Sequence, residues 1–181
     1  MPTRTEAPPL RSTLRRLPSP VVVVTTYAQG NPWGITIGSF TSVSLDPPLV
    51  SFNVDRNAQS HAALHEAGRC AIHLLDDTQV AFANHFARPD LSPEEQFQPV
   101  AYTSDAHQIP ILEGKAAVLH ARIQDAHPAG DHSIFVAEVE HITPRENAQG
   151  ITYVERGYHA VGHELGGTAL SSVNASSNGS S

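Results

Sequence analysis

The chain has 181 residues, one cysteine and a formal net charge of −7, which is length enough for one domain with its own core. The acidity excludes a nucleic-acid surface, because holding a phosphate backbone takes a clustered basic face. The single cysteine excludes an intrachain disulfide and any zinc site built on several thiolates, and no stretch approaches the roughly 20 apolar residues of a membrane-spanning helix.

With no membrane span and no hydrophobic leader, the chain reads as a cytoplasmic protein without a membrane or nucleic-acid partner. Residues 1–11 are Pro-rich and polar and read as a disordered segment. Residues 12–165 carry the domain, and 166–181 form a small, polar, disordered tail rich in Gly and Ser.

In chain order, Ser12 is placed to cap a short helix over "TLRRL", which Pro18 ends. "VVVVTTY" is β-branched and reads as a strand, and "AQGNPWG" as a turn. Strand-like stretches at 33–45 and 49–55 follow, separated by Asp46-Pro47-Pro48, which suits a bend rather than a central strand. Asn57 is a plausible cap for a helix over 58–67 that Gly68 closes. "CAIHLL" is the next strand, with Cys70 a buried structural thiol. Asp76 or Asp77 then starts a helix that Pro89 stops. "KAAVLHARIQ" and "DHSIFVAEVEHI" pair as a long antiparallel hairpin across "DAHPAGD". Strands dominate, helices are few, and turns are frequent. That pattern is mainly β, a closed or nearly closed antiparallel barrel with helices packed at its ends.

Three patches carry chemistry. In "WGITIGSFTSVSLDPPLVSFNV" (33–54), Thr36, Ser39, Thr41, Ser42 and Ser44 supply hydroxyls where a plain barrel would use Val, Ile and Leu. Gly34 and Gly38 let backbone amides approach a flat ligand. In "VDRNAQSHAAL" (54–64), Arg56, Asn57, Ser60 and His61 surround the start of a helix, a place suited to a phosphate; a capped surface helix explains that patch equally well when it is taken alone. In "AGDHSIFVAEV" (129–139), Gly130 permits a tight turn, Asp131 bonds the turn backbone, and His132 is delivered at the start of a strand. His61 and His65 stand four apart on the helix, but two histidines alone are a weak metal signal.

Together these pieces, with "CAIHLLDDTQVAFANHFA" and "ITYVERGYH", resemble the flavin reductases of the FMN-binding split-barrel type, in the family's order and over about residues 13–160. These are the small reductase components of two-component flavin-dependent monooxygenases. The resemblance implies a split, Greek-key-like antiparallel barrel and hydride transfer from NADH or NADPH to FMN or FAD. It implies Thr36, Ile37, Gly38 and Ser39 at the flavin ring or its linker, with Ser42 and Ser44 nearby. Asn57 and Ser60 fall at the flavin phosphate with Arg56 and His61 as helpers, and Phe86 and Ala87 at a helix end against the flavin. His132, within the Gly130-Asp131-His132 motif, takes the catalytic place beside nicotinamide and flavin, and Tyr153 and Tyr158 match aromatic positions near the site. A homodimer and transfer of reduced flavin to a separate monooxygenase are also implied. The rival reading is a flavin-binding or electron-carrier module with no enzymatic role, since a fold does not fix a function.

Overall fold

Four consecutive valines make sense only in a strand buried on both faces. In the computed structural model, which describes residues 8–114, 117–144 and 148–162, Val22–Val24 open such a strand. A short helix, α1 (Pro8–Leu14), precedes β1 (Ser19–Pro20), β2 (Val22–Ala28) and β3 (Asn31–Ile37). Then come β4 (Thr41–Leu45), β5 (Pro48–Asp55), α2 (Gln59–Ala67) and β6 (Arg69–Leu74). A 3₁₀ turn at Asp77–Gln79 feeds α3 (Val80–Phe86), and α4 (Pro93–Phe97) follows. The short strands β7 (Tyr102–Ser104) and β8 (Pro110–Leu112) pair with each other. The long hairpin is β9 (Ala117–Ala129) with β10 (His132–Thr143), and β11 (Ile151–Val154) with β12 (Gly157–Ala160) ends the described chain.

Seven strands form one antiparallel sheet in the order β3-β2-β6-β9-β10-β5-β4. Val22 and Val24 point into the barrel with Ile72, Leu64 and the stacked pair Phe52 and Phe135, whose rings lie 5.6 Å apart. Val21 and Val23 face the other way, onto a second cluster with Ala83, Phe86, Phe97 and Ile151. Helices α3 and α4 and the β11–β12 hairpin thus cover the outer face of β2.

The barrel has a seam. β3 ends the sheet order, so one of its edges pairs with no strand. At the other end, β4 pairs with β5 only over Pro48–Ser51, leaving residues 52–55 of β5 without a β4 partner. The two free edges approach each other, and Ser39 ties them by accepting the Asn53 N–H at 2.9 Å.

Several boundaries differ from the sequence reading. Pro8–Arg11, assigned to a disordered segment, is helical, so the first helix starts before Ser12 rather than at it; residues 1–7 and the tail 166–181 lie outside the described residues. The stretch 33–45 is two strands, because the chain turns at residues 38–40. Ala58, not Asn57, is the N-cap of α2 and makes no side-chain cap bond, while Gly68 closes the helix in the left-handed conformation as expected. The hairpin loop is only Gly130-Asp131, since the pairing of β9 runs through Pro128 to Ala129. Asp46–Pro47 is a cis peptide in the β4–β5 turn. No helix among the described residues is long and apolar enough to cross a membrane.

One buried polar group locks the second face of the sheet. His73 is fully buried; its Nδ1 donates to the Val23 carbonyl at 3.1 Å, and its Nε2 accepts the Leu112 N–H at 3.1 Å. That pairing requires a neutral ring, and burial lowers its pKa from 6.5 to about 4. Above 6.5 the ring is neutral in both states, so stability is full. As the pH falls from 6.5 to about 4, the unfolded chain takes up a proton that the folded chain refuses. Folding stability should therefore drop by about 3 kcal/mol across that window from this group alone. Urea unfolding of wild type and His73→Gln tests this. The variant should be weaker at neutral pH yet lose less on acidification, and parallel declines would contradict it.

Candidate active site at the barrel seam

The free edge of β3 and the turn after it form the shared floor of three adjoining cavities. The first, about 530 Å³, lies across the seam between Ile35–Ser39 and Asn53–Asp55, with His132 at its end. The second, about 440 Å³, runs from Gly34–Thr36 to the start of α2 and the end of α3. The third, about 330 Å³, opens between Ile37, Gly38 and the β11–β12 hairpin. Thr36 lines all three, and Ile37 and Gly38 line the first and third.

Local chemistry explains how the floor stays open. A Cβ on Gly34 would stand 2.5 Å from the Phe86 ring, so only glycine lets α3 pack this close. The Gly34 N–H donates to Gln96 Oε1 at 3.0 Å, which ties α4 to the same strand. The Thr36 hydroxyl donates to the Ala83 carbonyl at 2.7 Å, satisfying a helix-end acceptor. Thr36 and Ser39 thus hold the frame with their hydroxyls, and the backbone edge between them is what faces the cavities.

At the second cavity, Asn57 just before the N-cap of α2 and Ser60 in its first turn stand with Phe86, Ala87 and Arg88 on the wall. Ser60 is only 6% exposed, and its hydroxyl makes no hydrogen bond to another described residue. The N-terminal amides of this nine-residue helix lie beside it, and such amides carry positive partial charge. A free hydroxyl that opens on the cavity next to them is a place for an anion.

His132 reaches the first cavity through backbone geometry. Gly130 adopts φ +66° at the hairpin turn, and β10 pairs with β5 so that His132 lies opposite Asp55. Its Nδ1 bonds Asp131 Oδ1 at 2.7 Å, and that hydrogen bond holds the Asp131 carboxyl below its usual range. The imidazole is thereby oriented, with Nε2 left to act elsewhere. Around the third cavity, the Tyr153 and Tyr158 rings lie 5.0 Å apart, and burial raises the Tyr158 pKa.

The remaining sequence candidates stand outside these walls. Ser42 and Ser44 lie on β4, beyond the turn at residues 38–40 and a bulge between them, and Ser44 accepts the Asp46 N–H at 3.3 Å. Arg56 is exposed, its backbone N–H bonded to the Asp131 carbonyl at 2.9 Å. His61 turns inward: its Nε2 meets Ser133 Oγ at 2.9 Å and its ring packs on Phe135. Burial, then the neighbouring His65, lowers the His61 pKa. Gly130 and Asp131 shape the turn rather than line a cavity. Sequence reasoning missed Asn53, Asp55 and Arg88, which do line the cavities. Strand parity back from His132 identifies Asp55 once the β5–β10 register is known, and Arg88 follows the predicted α3 directly.

The chain matches the flavin reductase like domain over residues 14–162. It is 32% identical over 149 residues to a flavin reductase of Pseudomonas putida, covering 82% of this chain and 86% of that one. It is 36% identical over 139 residues to an NADH:FMN oxidoreductase of Rhodococcus qingshengii, covering 76% and 70% respectively. The solved structure of BorF, the flavin reductase component of a bacterial two-component tryptophan halogenase, superposes with a TM-score of 0.79 at 28% identity, covering 88% of this chain and all of that one. With its antiparallel split barrel and a match that spans the whole described domain, the chain belongs to the flavin reductase-like family.

Proposed function

We propose that this protein is an NAD(P)H-dependent flavin reductase that reduces FMN or FAD and supplies reduced flavin to a separate monooxygenase. The observation that carries the reading is the shared floor: two large cavities meet on one exposed strand edge, so two ligands can lie against each other on it. The residues present fit a flavin. The unpartnered Ser60 hydroxyl on the cavity wall and the α2 amides suit its phosphate, with Asn57 beside them. The free β3 edge at Thr36–Ser39 offers backbone donors and acceptors to the ring, and Phe86 and Ala87 wall its linker. When bound, the flavin supplies the two-electron chemistry, and the protein orients the partners.

His132 is the group placed to hold the nicotinamide. Asp131 fixes its orientation, and the exposed strand edge opposite sets the distance of approach. Orientation of this kind supplies most of the rate advantage in a transfer that needs little acid–base help. Arg56, beside the phosphate end, adds positive charge to the approach, with His61 packed behind it. The Tyr153–Tyr158 pair closes the apolar third lobe, and Gly130 fixes the turn that carries His132. Ser42 and Ser44, on β4, belong to the outer side of the seam. Exposed Val43 (54%) and Leu45 (89%) on that edge strand support a homodimer, because an apolar free edge invites a partner.

Two substitutions test the assignments separately. Ser60→Ala should weaken FMN binding about tenfold, since a hydrogen bond to a charged group contributes about 1.5 kcal/mol, with the unfolding midpoint unchanged. Equal affinity in a fluorescence titration would reject Ser60 as the phosphate contact. His132→Ala should lower kcat/KM for NADH by on the order of tenfold to a hundredfold, with flavin affinity nearly constant. Steady-state kinetics that match wild type would remove His132 from hydride transfer.

A further inference from the structure

Asp55 is the one acidic side chain among the described residues on the walls of the three cavities, and it stands on the partition between the larger two. It faces His132 across the β5–β10 ladder. One of its oxygens accepts the Asn57 N–H at 2.8 Å, and the other takes no hydrogen bond from a described residue. An asparagine side-chain oxygen would accept that N–H equally well. The turn therefore needs an acceptor at residue 55, and that bond does not need the negative charge.

The charge acquires a task once the reaction is considered. Hydride transfer breaks the C4–H bond of the nicotinamide and forms an N–H bond at flavin N5, moving two electrons with the hydrogen. The neutral dihydronicotinamide becomes a cation and the neutral flavin ring an anion, so charge balances without a further proton. The flavin phosphate carries the same charge before and after. A carboxylate on the partition therefore repels that phosphate equally in both redox states and opposes the ring only in the reduced one. The cations nearby do not cancel it by direct contact: Arg88 is paired with Asp90 at 3.0 Å, and His132 is bonded to Asp131. Arg56, next along the chain, is exposed to solvent.

We propose that Asp55 makes the site discriminate between the two redox states of flavin, weakening its hold on the reduced form and so favouring release after hydride transfer. The inference rests on the flavin reductase reading and assigns a task to a residue on that site's wall. A unit charge several ångströms from the ring at a solvated rim changes affinity by about three- to tenfold, and added salt screens it.

Equilibrium titration of wild type, Asp55→Asn and Asp55→Glu with oxidised FMN, and without oxygen with dithionite-reduced FMN, tests the proposal. Asp55→Asn should tighten reduced FMN by about three- to tenfold more than it tightens oxidised FMN. Asp55→Glu should stay near wild type. In the wild type alone, raising the ionic strength should tighten reduced FMN relative to oxidised FMN, a readout that needs no variant to fold. Equal changes in both redox states, no change in either, or the opposite salt trend overturns the proposal and leaves the reductase reading standing. Failure of the wild type to bind either redox form of both FMN and FAD overturns both.

Discussion

The structure depends on a seam that the sheet does not close. β3 pairs on one edge only, and β5 outruns β4 by residues 52–55, so two strand edges face each other without a ladder between them. Unpaired backbone groups buried from water are costly, and a continuous barrel would pair them. Here the edges stand apart except where Ser39 meets Asn53. The cavities are the space that this incomplete closure leaves. Their walls carry polar side chains such as Asn53, Asp55, Ser60 and His132 beside the β3 edge.

Contacts made by β3 and the turn after it account for the unusual composition of the strand. The Thr36 and Ser39 hydroxyls bond the Ala83 carbonyl and the Asn53 N–H, and Gly34 admits the Phe86 ring. Each would be a poor choice for a plain barrel wall, and each fixes a neighbour of the seam. Binding an anionic ligand in a chain of net charge −7 then rests on local geometry. In the proposed site, helix amides and the Ser60 hydroxyl at α2 would act over a few ångströms, where net charge counts for little in physiological salt. Asp55, the one carboxylate on those walls among the described residues, stands between the two larger cavities.

Much of this was legible in the sequence because it is local. The valine run, the Gly68 stop, the helix start at Asp76 and the Gly130-Asp131 turn each follow from the residues themselves. The resemblance placed Thr36–Ser39, Asn57, Ser60, Ala87, His132 and the two tyrosines, and the fold brings them around one strand edge. What stayed hidden is non-local. Ser42 and Ser44 share the hydroxyl character of Ser39, yet the turn at residues 38–40 carries them to another strand, which period-2 reasoning across 33–45 could not register. His61 sits on the same short helix as Ser60, but its burial against Phe135 is decided by the β10 strand. Asp55, inside the strand-like stretch 49–55, drew no notice in the sequence, because only the β5–β10 register sets it opposite His132.

The most direct test mixes the purified protein with FMN or FAD and NADH or NADPH in the absence of oxygen. Nicotinamide oxidation and flavin bleaching are then followed together by absorbance. A site that holds both ligands on one strand edge predicts rapid, flavin-dependent nicotinamide oxidation with one flavin reduced for each nicotinamide consumed. Tight flavin binding with no hydride transfer from either nucleotide would contradict the account and make the seam a flavin-carrying groove.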